Sequence, residues 1–164
     1  MAEQKKSGGM TRREFVTACA VTGAGVCLCG GTGCSTFTKV GNTPGIAGDA
    51  YAIEEGNLLA LNLEGIPELS VDGGSVKIID ERLSDGVIVA RVGEDDYRAF
   101  SLYCTHRGVE LEYRPEKGRL VCASAGSSAF TLTGERVKGP AESDLAVYSA
   151  TLDGNRLAIT VTAL

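Results

Sequence analysis

Two short loops determine how this 164-residue sequence is interpreted. They are Cys104-Thr105-His106-Arg107-Gly108 and Val121-Cys122-Ala123-Ser124-Ala125-Gly126-Ser127-Ser128-Ala129-Phe130. The chain has six Cys and a single His, and the only two Cys after residue 34 lie in these loops, as does the His. A Cys-x-His pair with a second Cys further along is a spacing seen at metal and redox sites, so chemistry is expected here.

The sequence around the loops predicts a run of short strands. From residue 56 onward, β-branched stretches alternate with turn residues such as Asp-Gly and Thr-Gly. The predicted strands cover 58–63, 75–79, 87–92, 98–103, 119–123, 129–132, 146–151 and 156–161. Asp153-Gly154-Asn155 should join the last two into a hairpin. No long segment has a helical period, so we expect an all-β antiparallel barrel or sandwich.

A Cys-x-His pair followed about 16 residues later by Cys-x-x-His-Gly-Ser is the signature of the Rieske iron–sulfur family, and this chain resembles it over roughly residues 56–162. Gly139-Pro140-Ala141 is similar to the proline loop that covers the cluster in that family. The resemblance implies a Rieske-like barrel or sandwich with a small cluster-binding subdomain. It also implies a 2Fe-2S cluster, in which two thiolates hold one iron and two imidazoles hold the other.

The resemblance assigns three of the four ligands. Cys104 and Cys122 would bind one iron, His106 would bind the other, and Ser127 would hydrogen-bond a sulfide. The fourth ligand should stand three residues after Cys122, where the chain has Ala125.

Alignment backward from Phe130 places the missing ligand at Gly126 instead. Since the chain has no second His, any fourth ligand must be Ser124, Ser127, Ser128, water or a partner protein.

Four interpretations of the two loops remain open. The first is a 2Fe-2S cluster with three protein ligands, and the second is a degenerate Rieske fold without metal in which Cys104 and Cys122 form a disulfide. The third is a mononuclear zinc or iron on two Cys, one His and water. The fourth is two unrelated buried Cys and an exposed His.

Quinol-oxidising Rieske proteins have an extra Cys in each loop, but this chain has Val109 and Ser124 there, so that role is not expected.

The N-terminal segment predicts export. Thr11-Arg12-Arg13-Glu14-Phe15 resembles a twin-arginine signal, and the mild apolar run that follows is shorter than a comfortable membrane span. Small residues before Cys34 resemble a lipoprotein processing site. We therefore predict an export signal over 1–34, a flexible linker over 35–55 and a Rieske-like domain over 56–164, located on the periplasmic side of the cytoplasmic membrane by an anchor or by a lipid on Cys34.

Charge narrows the possible partners. The formal net charge is −5; residues 1–34 hold 4 of 16 Lys/Arg and 2 of 21 Asp/Glu, which leaves 12 basic and 19 acidic residues, or −7, on the rest. An acidic body disfavours nucleic acid as a partner.

The leading functional hypothesis is one-electron transfer through a 2Fe-2S centre. The chain would serve as a subunit or shuttle of a larger oxidoreductase, with a redox protein as its partner. It has no motif for a separate substrate site, so we do not expect an enzyme in isolation. The alternative is a binding or structural domain that kept the fold and replaced the cluster by a disulfide.

Overall fold

The computed structural model describes residues 40–162, and this part of the chain is nearly all β. It contains strands β1 (Tyr51–Glu54), β2 (Leu58–Asn62), β3 (Ser75–Ile78), β4 (Val87–Gly93), β5 (Asp96–Ser101), β6 (Leu111–Arg114), β7 (Arg119–Cys122), β8 (Ala129–Phe130), β9 (Arg136–Lys138), β10 (Val147–Asp153) and β11 (Arg156–Thr160). Three short 3-10 helices cover Leu63–Gly65, Pro67–Leu69 and Pro115–Lys117. The predicted all-β antiparallel fold is confirmed.

Seven strands form a large antiparallel sheet in the order β1-β2-β11-β10-β5-β4-β3. Its strands alternate between buried and more exposed positions, as in β3, because successive side chains point to opposite faces. The buried side chains form one core that includes Leu59, Val76, Val89, Tyr148 and Ile159. Each such apolar side chain contributes roughly 1.5–3 kcal/mol when it leaves water.

The other four strands form a small antiparallel sheet in the order β6-β7-β8-β9. All four lie in sequence between β5 and β10, which are themselves neighbours in the large sheet. A second buried cluster, with Phe100, Leu102, Leu111, Leu120 and Phe130, links this insertion to the large sheet. The insertion is therefore a small subdomain packed on the large sheet, as the resemblance implied.

The eight predicted strands are present, with ends shifted by at most two residues, and Asp153 pairs with Arg156 across the predicted hairpin. Three strands, β1, β6 and β9, were missed. Every residue of β9 is exposed, so it has no apolar alternation to detect. In β6 a charged residue, Glu112, is buried, which the pattern could not indicate.

The linker predicted over 35–55 is wrong for the part that the structure describes, from residue 40. The backbone N–H of Gly41 donates to the Glu110 carboxylate, and that of Asn42 donates to the Glu112 carboxylate, each at 2.7 Å. The Lys77 amino group also donates to Glu110 at 2.7 Å. Buried carboxylates need donors, and this Gly-rich segment supplies them from its backbone. β1 begins before residue 55 as well.

The predicted export signal and the lipid site at Cys34 lie outside the described residues. Among the helices of residues 40–162, none has the length and apolar character required to cross a membrane.

Candidate metal centre

The first loop connects β5 to β6 and is closed by its own backbone. The N–H of Cys104 donates to the carbonyl of Val109, and the N–H of Gly108 donates to the carbonyl of Cys104, both at 2.9 Å. Gly108 has φ 62°, in the left-handed region that favours glycine. Tyr103 pairs with Glu110 at the base of the loop. The sequence Cys-x-His-x-Gly thus makes one tight turn with Cys104 at its base.

The second loop connects β7 to β8 and is also closed by its own backbone. The N–H of Cys122 donates to the carbonyl of Ser128 at 2.8 Å, and the N–H of Ser127 donates to that of Ser124 at 3.0 Å. Ser127 has φ 44°. The N–H of Ala123 donates to the carbonyl of Glu110 at 3.0 Å, so the two loops are tied together at their bases.

The segment that resembles the proline loop packs against the second loop. Gly139 has φ 93°, and a Cβ there would lie 2.4 Å from Cα of Ser128, so only glycine fits. The N–H of Ala141 donates to Oγ of Ser128 at 3.1 Å. Just beyond it, Ser143 accepts a hydrogen bond from Thr105 of the first loop at 2.9 Å. The segment therefore holds both loops in place.

The two loops bring Cys104 and Cys122 together as free, buried thiols that are 2% and 4% exposed. Burial raises the pKa of the Cys104 thiol, and the neighbouring Cys122 thiol raises it further. The backbone N–H of His106 and the hydroxyl of Ser128 act in the opposite direction and lower that pKa. The sulfur of Cys122 lies 3.1 Å from Oγ of Ser124. Both sulfurs thus have polar partners ready for thiolate charge.

A cavity of about 330 Å³ separates the tips of the loops. It is lined by Cys104, His106, Arg107, Val109, Cys122, Ser124, Ala125 and Gly126. The three predicted metal ligands and the position of the missing one therefore share a single cavity. Ser127, the fourth predicted site residue, lines a different cavity, next to Val40 and Glu112.

The structure distinguishes the two possible positions of the missing ligand. A Cβ at Gly126 would lie 3.0 Å from Cγ of Pro140, so a side chain there meets the proline loop. Ala125 is exposed and lines the cavity. Ala125 is accordingly the position from which a side chain would enter the cavity.

The hydroxyl groups of the second loop are already engaged. Ser127 donates to the carbonyl of Ser124 at 3.2 Å, and the hydroxyl of Ser124 lies against the Cys122 sulfur. Ser128 is fully buried and accepts from Ala141. Each of the three serine hydroxyls therefore already has a hydrogen-bond partner within the loop or in the proline-containing segment.

The role that the resemblance gave to Ser127 fits Ser128 better, because Ser128 is fully buried and its hydroxyl lowers the pKa of the Cys104 thiol. The signal available in the sequence was the pair Ser127-Ser128, which does not say which of the two hydroxyls turns inward.

The donor set fits a 2Fe-2S cluster only in part. Two thiols and one imidazole line the cavity. They would supply both ligands of the thiolate-held iron and one of the two ligands of the imidazole-held iron. The fourth position presents only the methyl group of Ala125, and the chain has no second His. Among residues 40–162, no three His, Cys, Asp or Glu side chains converge closely enough to bind a metal.

Comparison with known proteins gives a family and distant structural neighbours. A search of curated proteins found no match. Among solved structures, the cyanobacterial plasma membrane Rieske protein PetC3 from Synechocystis PCC 6803 is 27% identical, with a TM-score of 0.48 over 57% of this chain and 92% of that one. The ferredoxin of carbazole 1,9a-dioxygenase from Nocardioides aromaticivorans IC177 is 20% identical, with a TM-score of 0.48 over 56% and 88% of the two chains.

The Rieske [2Fe-2S] domain family matches residues 66–149, which include the whole small sheet, both loops and the proline-containing segment. The match covers just over half of the chain, and the residues that form the cavity all fall within it. This chain therefore belongs to the Rieske [2Fe-2S] domain family.

Proposed function

We propose that this protein is an exported one-electron carrier of the Rieske type that works as a component of a larger oxidoreductase. The observation that carries the proposal is the pair of buried free thiols, Cys104 and Cys122, which belong to one buried cluster and line the same cavity as His106. Cys104 and Cys122 would hold one iron of a 2Fe-2S cluster and His106 the other. When bound, such a cluster takes up and releases one electron.

The groups around the sulfurs suit that role. The hydroxyl of Ser124 lies 3.1 Å from the Cys122 sulfur, and the backbone N–H of His106 and the hydroxyl of Ser128 lower the pKa of the Cys104 thiol. Hydrogen bonds to the charged form of a thiol favour that form, and hydrogen bonds to the sulfurs of a cluster raise its reduction potential. These three groups would therefore stabilise the thiolates that binding requires.

The hydrogen bonds that hold the two loops suit electron transfer as well. The loops are tied to each other through Ala123 and Glu110 and to the proline-containing segment through Ser128 and Thr105. A site whose supports hold it in one geometry needs little rearrangement when its charge changes. Arg107 is exposed at the rim of the cavity, where an electron-exchange partner would dock.

Quinol oxidation is not part of the proposal. The position of the first extra Cys of that group is Val109, which is buried, and the second is Ser124, which is hydrogen-bonded to the Cys122 sulfur. Neither residue can form the disulfide beneath the cluster.

Export rests on the sequence. The Arg12-Arg13 pair resembles the twin-arginine signal, whose route carries proteins that are already folded. A cofactor inserted in the cytoplasm would fit that route. We place the protein on the periplasmic side of the membrane, held there by its N-terminal segment or by a lipid on Cys34.

The test is a measurement of iron and acid-labile sulfide on protein purified without air, with an absorption spectrum of the same sample. Two irons and two sulfides per chain are expected, with loss of both in Cys122→Ser. Ser127→Ala should retain both, since Ser127 lies outside the cavity. Full retention of iron and sulfide in Cys122→Ser would refute the assignment.

A second candidate function follows from the position of the free Cys104 and Cys122 thiols in one buried cluster. In an oxidising compartment two adjacent thiols form a disulfide, which would make the protein a metal-free binding or structural domain. The same samples test it. Neither iron nor sulfide, together with no free thiol at either position, would favour this function over electron transfer.

A further inference from the structure

We infer that residues 41–46 form a strap that closes a second cavity beside the second loop and thereby controls access to the Cys122 thiol. The strap belongs to the stretch whose Gly-rich composition predicted a linker. The inference goes beyond the proposed function, because it concerns the approach of other molecules to Cys122 and does not depend on a bound cluster.

The start of the strap is held by two buried carboxylates of the small subdomain. The N–H of Gly41 donates to Glu110 and the N–H of Asn42 donates to Glu112, each at 2.7 Å. Glu110 is 5% exposed and Glu112 is 8% exposed. Hydrogen bonds to an ionised group are stronger than those between neutral groups, and these carboxylates lose a partner if the strap lifts. The strap is therefore docked at its start by two specific bonds.

The end of the strap is held by the edge strand of the large sheet. The N–H of Lys77 in β3 donates to the carbonyl of Pro44 at 2.8 Å, and the N–H of Ile46 donates to the carbonyl of Lys77 at 3.3 Å. The amino group of Lys77 lies 3.4 Å from the carbonyl of Gly41 and also binds the Glu110 carboxylate. The strap thus joins the large sheet to the strand that follows the first loop.

The start of the strap forms part of the wall of a cavity of about 380 Å³. Asn42 and the adjoining Val40 line this cavity together with Glu112 and Cys122. Of the two Cys in residues 40–162, Cys122 lines both this cavity and the one between the loop tips, whereas Cys104 lines the latter alone. Cys122 therefore has a second side from which it can be reached, and the strap closes it.

The start of the strap is the part that can open most easily. Val40 is 60% exposed and Asn42 is also exposed, so water reaches this end. Segments with few buried apolar contacts and accessible hydrogen bonds open before the rest of a domain. When the start lifts, part of the cavity wall goes with it. Residues 1–39 join the chain at this point, so a molecule that binds them would act on the bonds of Gly41 and Asn42.

The experiment measures alkylation of the full chain by iodoacetamide, after reduction and removal of any metal by a chelator. In this reaction a thiolate sulfur bonds to the reagent's carbon and iodide leaves. Peptide mass spectrometry gives separate rates for Cys104 and Cys122 and distinguishes them from the four Cys of residues 1–34. Cys104 is the internal reference, because it lines the cavity between the loop tips alone.

Gly41→Leu is the variant that lifts the strap. A Cβ at Gly41 would lie 3.1 Å from Cγ of Glu112 and 3.5 Å from Cβ of Glu110. Crowding of this kind should raise the alkylation rate of Cys122 about tenfold and that of Cys104 much less. Gly48→Leu is the matched control, because a Cβ there has no atom within 4 Å among the described residues, and it should change neither rate.

A milder variant and a second measurement guard against a general loss of structure. Glu112→Gln keeps the shape of the side chain and removes the charge, so it should act in the same direction by a smaller factor. Hydrogen exchange of both variants should be faster at the amides of Gly41 and Asn42. Exchange in the hairpin of β10 and β11 should stay at the wild-type rate.

The expected result is a selective rise at Cys122 that accompanies faster exchange of the strap amides. Equal increases at Cys104 and Cys122 overturn the inference, because they indicate a general loosening of both loops. Faster exchange of the strap amides with an unchanged rate at Cys122 overturns it as well, and so does a strap that stays protected in both variants. Iron and sulfide contents, measured separately on the same preparations, test the proposed function without affecting this result.

Discussion

The first and second loops hold equivalent Cys residues, yet they are built differently. The first is closed by two backbone hydrogen bonds around Cys104 and needs Gly108 at positive φ. The second is braced by serine hydroxyls and by the proline-containing segment. The first loop has His106 two residues after its Cys, whereas the second has Ala125 three residues after its Cys. The comparison teaches that two loops of different construction can bring two buried thiols to one cavity.

The largest expected loss of stability tests whether both loops are supported by the same buried cluster. Leu102 precedes the first loop and Phe130 follows the second, and both are fully buried in the same cluster. Phe130→Ala should lower the free energy of unfolding by about 3–5 kcal/mol, and Leu102→Ala by about 2–5 kcal/mol. Urea unfolding measures both.

Val137→Ala is the matched control, because that side chain is 39% exposed and its loss should cost less than about 0.5 kcal/mol. If the core is shared, either buried substitution should increase the reactivity of both Cys thiols. Reactivity that rises at one thiol only would show that the loops are supported separately.

The next prediction compares the side-chain hydrogen bonds that hold the two loops to the proline-containing segment and its neighbour Ser143. Ser128 is buried and accepts from the N–H of Ala141, so Ser128→Ala leaves a buried donor unpaired and should cost about 1–3 kcal/mol. Thr105 is exposed, and water can replace its bond to Ser143, so Thr105→Ala should cost less than about 1 kcal/mol. Thermal unfolding of both variants would show the difference, and equal losses would contradict it.

A smaller loss of stability is expected when a loop glycine is replaced, and its cause differs between Gly108 and Gly126. Gly108 has φ 62° with open space around it, so Gly108→Ala should cost about 1–2 kcal/mol through backbone strain alone. Gly126→Ala should cost about 1 kcal/mol because its Cβ would press on Pro140.

A double-variant cycle distinguishes these two causes. Pro140→Ala should relieve most of the cost of Gly126→Ala and none of the cost of Gly108→Ala. Additive free energies of unfolding for Gly126→Ala and Pro140→Ala would contradict the packing explanation.

The smallest expected change in stability concerns the Asp80–Arg82 pair, which lies away from both loops. It serves as a reference, because the two loops should stay unchanged when this pair is lost. Hydrogen bonds from Arg82 hold the pKa of the Asp80 carboxyl well below its usual range. A carboxyl with a lowered folded pKa stabilises the fold above its unfolded pKa of about 3.9, and this contribution is lost as the pH falls toward the folded value.

Asp80→Asn should therefore lower the urea midpoint slightly at pH 7 and less at pH 3, while the reactivity of Cys104 and Cys122 stays constant. A midpoint difference that does not shrink in acid would contradict this account of the Asp80–Arg82 pair.

Much of the fold could be predicted because it depends on local patterns. Eight strands and the Asp153–Arg156 hairpin follow from alternating β-branched stretches and turn residues. β6 could not, because its buried Glu112 is satisfied by the backbone of Asn42, 70 residues away in sequence. The same contact explains why the Gly-rich segment after residue 40 looked like a linker.

The sequence by itself determined the family, the all-β class, and which residues could serve as ligands, since one His and two Cys in the body leave little choice. Only the tertiary structure decided that Ser128 is fully buried while Ser127 is not, and that a side chain at position 126 would meet Pro140. The physical reason is that the direction of a side chain in a tight loop is set by what packs against it. Here that neighbour is the segment around Pro140, which lies more than ten residues further along the chain.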